Sequence, residues 1–254
     1  MADMRPSSLP SETPGPPTAE VLEAFAIQRH LSDINFLGAD LRSALRPIAQ
    51  DALFERCDFS DADMRGLNLS RSTFRDCKAQ RTCFSSAALE GTRWIGGSVA
   101  FGDFTGVECI GAVFEKLDAA NTRWADALMT DVRFIGCRMT GARMSGHRGL
   151  GPSFSHCNLT LASLRGMKFK GQHVESVIFN EADLAGCDFR LSALDGCSLI
   201  GASFHAADFA GADLTASDLG DLTAESARQY RGAHISMTQA VRICANLGLL
   251  VLAD

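Results

Sequence analysis

A large apolar residue recurs at every fifth position from Phe54 to Leu219, without a break in phase. Of the 34 positions in this register, 30 carry Phe, Leu, Met, Trp or Val, and 13 of the chain's 16 Phe residues lie in it. Neither the 3.6-residue period of an α-helix nor the two-residue period of a β-strand produces this spacing. A strict short repeat indicates a solenoid, in which each repeat buries its apolar side only against neighbouring repeats.

The other positions of the repeat are also regular. A small residue lies two positions before the large one at 28 of the 34 sites, a polar residue often separates the two, and Gly is common two positions after. Typical units are CDFSD at 57–61, ADLAG at 182–186 and ADLTA at 212–216. This pattern resembles the A(D/N)LxX unit of the pentapeptide-repeat family, over about two thirds of the chain.

The resemblance implies an all-β fold, a right-handed quadrilateral β-helix with short helical ends, in which four pentapeptides complete one coil. Reading the sequence in steps of 20 tests this, because it should align inward residues of successive coils. One column is Phe54, Phe74, Trp94, Phe114, Phe134, Phe154, Val174, Leu194 and Leu214. A second is Met64, Phe84, Phe104, Trp124, Met144, Leu164, Leu184 and Phe204. Such columns suit aromatic stacking between coils and predict eight to nine of them.

The N-terminal part of the chain departs from the repeat. Residues 1–17 are rich in Pro and Ser and are expected to be a disordered leader. Residues 18–33 predict a helical cap, with an amphipathic helix that reaches Leu31. The β-helix is expected to span 34–222, with an out-of-phase segment at 42–53.

A local defect is expected inside the array at 147–152. There the inward positions hold His, Gly and Pro, which cannot pack as the repeat requires. The pattern predicts a bend or an irregularity between two subarrays.

The C-terminal segment, 223–254, predicts a cap made of a helix and a short apolar strand at 249–252. Ser236 and Gln239 have the spacing of a capping box, which predicts a helix start. This element caps its own chain or also forms a homodimer, and family members that protect DNA gyrase dimerise tail to tail through such a helix. The expected interface is Ile243, Leu247, Leu249, Leu250, Val251 and Leu252.

Charge is segregated along a chain whose net charge is −6. Residues 176–225 contain nine acids and one base, which gives −8, whereas 116–173 contain nine bases and three acids, which gives +6. Gyrase-binding members of the family are described as DNA mimics with acidic faces. The candidate acidic surface is Glu181, Asp183, Asp188, Asp195, Asp208, Asp213, Asp218 and Asp221. Asp is also the family consensus at this repeat position, so these acids have a purely structural alternative.

A basic belt departs from a uniformly acidic mimic. Its members occupy one outward repeat position on four successive faces: Arg133, Arg138, Arg143 and Arg148. The belt pairs with acids on neighbouring coils or contacts another protein or a nucleic acid, although direct nucleic-acid binding is not expected.

The sequence lacks signatures of catalysis, metal binding and cofactor binding. No phosphate loop, nucleophile elbow or zinc-type ligand spacing is present. The nine Cys fall mostly in the small inward position, which suggests buried thiols in a reducing cytoplasm rather than disulfides. No stretch is long and apolar enough to span a membrane.

Two functions from different classes remain open. The first is a cytoplasmic DNA-mimicking protein that binds DNA gyrase or another type II topoisomerase and gives resistance or self-immunity to a topoisomerase poison. The alternative is an interaction scaffold or translocated bacterial effector that docks partners on the rod surface. The first depends mainly on resemblance at the level of the fold.

Overall fold

Ten short parallel strands follow one another in chain order and form a single sheet along one side of a β-solenoid. The computed structural model describes residues 18–46, 49–221 and 228–252, so the leader at 1–17 and part of the cap at 223–232 lie outside the described residues. The strands are β1 (His30–Ser32), β2 (Leu53–Glu55), β3 (Thr73–Arg75), β4 (Arg93–Ile95), β5 (Val113–Glu115), β6 (Leu128–Ile135), β7 (Arg148–Ser155), β8 (His173–Glu175), β9 (Ala193–Ser198) and β10 (Asp213–Asp218).

Each coil pairs with the next in a register of four pentapeptides. Phe54 pairs with Phe74, and Phe74 with Trp94, so four pentapeptides complete one turn. Continuous strands form on one side, whereas the other three sides pair through single bridges such as Asp58 to Lys78. This confirms the predicted right-handed four-sided β-helix. The four sides are called face 1 (column Phe54 to Leu214), face 2 (Phe59 to Leu219), face 3 (Met64 to Phe204) and face 4 (Leu69 to Phe209).

The two predicted columns form the aromatic core of the earlier coils, and a column on face 4, Phe169, Phe189 and Phe209, continues the stacking in the later coils. On face 1 the ring centroids of Phe114 and Phe134 lie 4.8 Å apart with nearly parallel planes. On face 3 the rings of Phe104 and Trp124 lie 4.1 Å apart. The columns also meet each other, because Trp124 contacts Phe114 edge-on at 5.5 Å. Stacking between coils is thus combined with edge-on contact across a coil, and both are favourable aromatic geometries.

The small inward positions form hydrogen bonds as well as filling space. The thiol of Cys137 donates to the carbonyl oxygen of Phe114 at 3.2 Å, and that of Cys157 donates to Phe134 at 3.3 Å. Ser217 makes the same bond to Leu194 at 2.8 Å. Seven Cys are buried, and all nine are free thiols. A Cys or Ser at the small position can thus donate to a backbone carbonyl of the preceding coil, a role that the period of five does not reveal.

The corners of the coil require a left-handed backbone conformation. Two residues after the position of the large residue, φ is positive at most corners, as in Gly111 (67°), Arg81 (57°) and Phe101 (62°). Glycine adopts this conformation without steric cost, which explains its frequency there. Charged corner residues can pair between successive coils, since Arg81 contacts Asp61, at the equivalent corner of the preceding coil, at 2.6 Å.

The N-terminal end is closed by helix α1 (Ala19–Gln28), whose N-cap is Thr18. The helix ends before the expected Leu31, because Leu31 belongs to β1 and pairs with Phe54. Phe25 covers the open coil, with its ring 5.4 Å from that of Phe54.

The first coil is longer than the others. It pairs with the second coil through bridges such as Asp40 to Asp63, a step three residues longer than the one between later coils. The three extra residues fall in the out-of-phase segment at 42–53, which begins with the short helix α2 (Arg42–Leu45). Residues 47–48, around which the bulge was expected, lie outside the described residues.

The C-terminal end is closed by helix α3 (Met237–Asn246), with a complete capping box between Ser236 and Gln239. The side-chain nitrogen of Gln239 also donates to the carbonyls of Leu214 and Ser217, at 2.8 and 2.6 Å. The expected strand at 249–252 is wrong, because the tail there has no ladder partner. Gln239 already occupies carbonyl groups on the free edge of the last coil.

Candidate binding surfaces

The acids predicted as one surface are distributed over all four faces of the last coils. Asp195 and Asp213 lie on face 1, Asp218 on face 2, Asp183 on face 3, and Asp188 on face 4. The remaining members lie at the corner after face 2 (Glu181 and Asp221) and on face 4 (Asp208). The arrangement is therefore a ring of carboxylates around the end of the rod.

Several of these acids have a structural role in the repeat. The carboxylate of Asp183 accepts a hydrogen bond from the backbone N–H of Ala185 at 3.1 Å, and Asp208 accepts one from Ala210 at 2.9 Å. The same bond is made by Asn158 elsewhere in the rod. An acceptor at this position stabilises the turn of the backbone, and this explains why the consensus allows Asp or Asn.

Three arginines contact five of the eight acids. Asp183 pairs with Arg165 at 2.9 Å and Asp188 with Arg190 at 2.7 Å. Arg190 also lies 3.7 Å from Asp208 on the following coil. The Arg190 hydrogen bond lowers the pKa of Asp188.

The end of the rod carries a further pairing. Arg242 on α3 contacts both Asp218 and Asp221, at 3.3 and 3.1 Å. The formal charge of the acidic coils therefore overstates the field that a partner would meet.

Three exposed acids have no ion pair within the described ranges: Glu181, Asp195 and Asp213. The carboxylate of Asp213 accepts hydrogen bonds from the backbone and the hydroxyl group of Thr215, and these lower its pKa. These three side chains are the part of the predicted surface best able to attract a cationic partner.

The basic belt lies on one coil with one guanidinium on each face. Arg138 pairs with Asp118 at 2.6 Å, so one member meets an acid of the neighbouring coil. Arg148 donates to the backbone carbonyl of Asp126 at 3.1 Å and forms no ion pair within the described residues. Arg133 and Arg143 are exposed.

The proposed dimer residues divide into two groups. Ile243 is half-buried and packs against the core of its own chain. The tail is exposed, with accessible fractions of 92% for Leu250 and 83% for Leu252. The remaining members, Leu247, Leu249 and Val251, are also exposed. A groove of about 400 Å³ separates α3 from the last coil.

The described residues contain no group of three or more His, Cys, Asp or Glu side chains placed to hold a metal ion.

Burial raises the pKa of Cys109 and Cys187 to about 12, so these thiols are protonated at neutral pH. None of the helices in the described ranges has the length and apolarity that crossing a lipid bilayer requires.

The repeat, the register between coils and the inward columns agree with a family model. The model for pentapeptide repeats matches eight copies, over residues 52–93, 108–146 and 178–221. The chain belongs to the pentapeptide-repeat family. No curated protein sequence matches it.

Solved structures with a similar fold include QnrB1, a plasmid-mediated fluoroquinolone resistance protein. Full-length QnrB1 is 21% identical, with a TM-score of 0.61, over 87% of this chain and 100% of that one. A trypsin-treated variant of QnrB1 is 22% identical, with a TM-score of 0.59, over 88% of this chain and 97% of that one. Because the identity is only 21–22%, the similarity shows a shared fold, and it extends over 87–88% of this chain.

Proposed function

We propose that this pentapeptide-repeat protein acts in the cytoplasm as a binding protein for DNA gyrase or another type II topoisomerase, and protects it from a poison. The observation that carries the proposal is a rod of QnrB1-like fold whose last coils are ringed by carboxylates. QnrB1 is itself a fluoroquinolone resistance protein. Binding by DNA mimicry requires a negative field of this kind, since a topoisomerase presents a basic surface to DNA.

The proposal includes a tail-to-tail homodimer. The exposed apolar tail at 249–252 lies next to the acidic coils, and burial of its side chains against a second copy is favourable. The dimer would bring two acidic ends together and double the local field. Electrostatic attraction of this type acts mainly on the association rate and weakens as salt rises.

The test uses supercoiling by purified gyrase, with and without a fluoroquinolone, and direct measurement of gyrase affinity at two salt concentrations. In the triple variant Glu181→Gln, Asp195→Asn and Asp213→Asn, we expect weaker binding, mainly through slower association, and less protection. These side chains have no ion pairs within the described residues, and Asn at 213 keeps the turn acceptor, so stability should change little.

A matched control removes three exposed acids from the first half of the rod: Asp76→Asn, Glu90→Gln and Glu108→Gln. It loses the same charge and should bind gyrase like the wild type. Equal affinity of the wild type and both triple variants would reject the DNA-mimic proposal. The rod would then be better described as a scaffold for other partners.

A further inference from the structure

Leu150 is the most exposed large apolar side chain of the described coils at 49–221, with 68% of its surface accessible. Its exposure follows from a β-bulge between β6 and β7. Leu128 pairs with Arg148, but Thr130 pairs with Gly151, so β7 has one extra residue between these pairs. This is the irregularity expected at 147–152. Bulges of this kind redirect a side chain and are frequent next to binding sites.

Glycine at position 149 permits the backbone conformation of the bulge. Gly149 adopts φ of 91°, and a Cβ atom there would lie 2.5 Å from the hydroxyl oxygen of Thr130. The positive φ and the Thr130 side chain therefore disfavour any residue with a side chain at 149, where the repeat would place a large inward residue. The chain loses one core residue at this point and presents Leu150 to solvent instead.

A groove of about 580 Å³ lies beside Leu150, at the corner between face 4 and face 1. Its wall includes Gln172, whose amide nitrogen donates to the carbonyl of Lys168 at 3.1 Å. The lining residues are Gly111, Asp131, Val132, Arg133, Leu150, Gly151, Ser153 and Gln172.

Cations lie in and beside the groove. Arg133 lines it, and Lys168 and Lys170 lie on the adjoining face 4. None of the three forms an ion pair within the ranges 18–46, 49–221 and 228–252. Asp131, which also lines the groove, is the opposing charge, so three cations and one acid give a net +2.

The next coil does not neutralise this charge. Lys170 contributes to the lowered pKa of Asp188, but the hydrogen bond from Arg190 is the main cause. Because Arg190 pairs with Asp188, the cations of the groove remain available to a ligand.

We propose that this groove docks an extended segment of a partner protein that carries a large apolar side chain and carboxylates. The apolar side chain packs on Leu150, and the carboxylates meet the cations. A nucleic-acid backbone offers phosphates but no apolar side chain to pack on Leu150. The surface lies before the acidic coils, so it is independent of the proposed topoisomerase binding.

The test selects peptides from a phage-displayed library of random dodecapeptides against the full-length protein. Binders of the variant Leu150→Ser, Lys168→Glu, Lys170→Glu are removed by counter-selection. We expect enriched peptides that contain a large apolar residue and several acids. A synthetic copy should lose affinity by about tenfold on Leu150→Ser and by at least as much on Lys168→Glu with Lys170→Glu. The control Leu161→Ser changes another exposed leucine on a different corner and should have no effect.

Two results would overturn the proposal. One is a selection with no acidic and apolar consensus, or peptides that bind Leu150→Ser as tightly as the wild type. The other is binding of short duplex DNA or phosphatidylserine vesicles that depends on Lys168 and Lys170 but not on Leu150, since this assigns the cations to phosphate. Thermal melting of each variant checks that the exposed substitutions leave the fold intact.

Discussion

Replacing Phe114 with Ala should destabilise the protein more than any surface change, because this ring lies at the middle of the aromatic core. Phe114 is fully buried and contacts three rings: Trp94 and Phe134, stacked at 6.0 and 4.8 Å, and Trp124, edge-on at 5.5 Å. Phe to Ala substitutions in cores cost about 3–5 kcal/mol. Three ring contacts, each worth about 0.5–1.5 kcal/mol beyond burial, place this site toward the upper end of that range.

The loss of stability in Phe114→Ala should also change the shape of the unfolding transition. A solenoid is held together by interfaces between neighbouring coils, so a cavity in a middle coil weakens the coupling of the two halves. Calorimetry should show a melting temperature lower by about 6–20 °C, using about 2–4 °C per kcal/mol for a chain of this size. A broadened or split peak would be the sign of two halves that unfold separately.

A matched control is available on the surface. Phe101 is 58% exposed at a corner and has no ring contact within the described residues. Phe101→Ala should therefore change stability by less than about 0.5 kcal/mol. If Phe114→Ala and Phe101→Ala melt at the same temperature, stacked aromatic columns are not what stabilises the rod.

Three other changes test the ends and corners of the rod. Gln239→Ala removes the capping box and the bonds at 2.8 and 2.6 Å to the last coil, so amide hydrogen exchange should show α3 losing about 1–3 kcal/mol of local stability while the coils keep theirs. Arg81 lowers the pKa of Asp61, so this pair stabilises the fold above the ordinary carboxyl pKa, and the gain is lost as pH falls through the folded pKa. Asp61→Asn should therefore reduce the fall in melting temperature between about pH 5 and about pH 2, and an unchanged fall would contradict the role of the pair. Deletion of 236–254 should give a monomer or an aggregate in analytical ultracentrifugation, whereas a wild type that sediments as a monomer at micromolar concentration would reject the dimer.

The period of five was sufficient to predict the fold and the inward columns. Every large residue in phase identifies one side of a coil, and the step of four pentapeptides then aligns Phe74 with Trp94 without further information. The corner ion pair of Arg81 with Asp61 follows the same step and could be found in this way. Such features depend only on the repeat, which is why the sequence reveals them.

Ion pairs on the surface of the repeat, and the segment that follows the repeat, were harder to predict. The pairing of Arg190 with Asp188 joins neighbours on one face, and the pattern does not distinguish it from a free carboxylate. The tail at 249–252 has the composition of a strand, but strand formation requires a free edge, and Gln239 on α3 occupies carbonyls there. The number of acids in the segment 181–221 likewise does not show how they are distributed. In the structure they surround the rod and do not share one face.

The register of four pentapeptides per coil limits how the length of this protein can change. Loss or gain of four successive pentapeptides removes or adds one coil and leaves every later side chain on its original face. Loss of a single pentapeptide keeps the alternation of large and small residues but turns the rest of the rod by a quarter, so that Arg148 and Lys168 would move to a different side from Leu69. The extra three residues of the first coil lie where the array begins, before the regular coils. Duplication by whole coils therefore conserves surface patterns, whereas duplication by single repeats rotates one end of the pattern against the other.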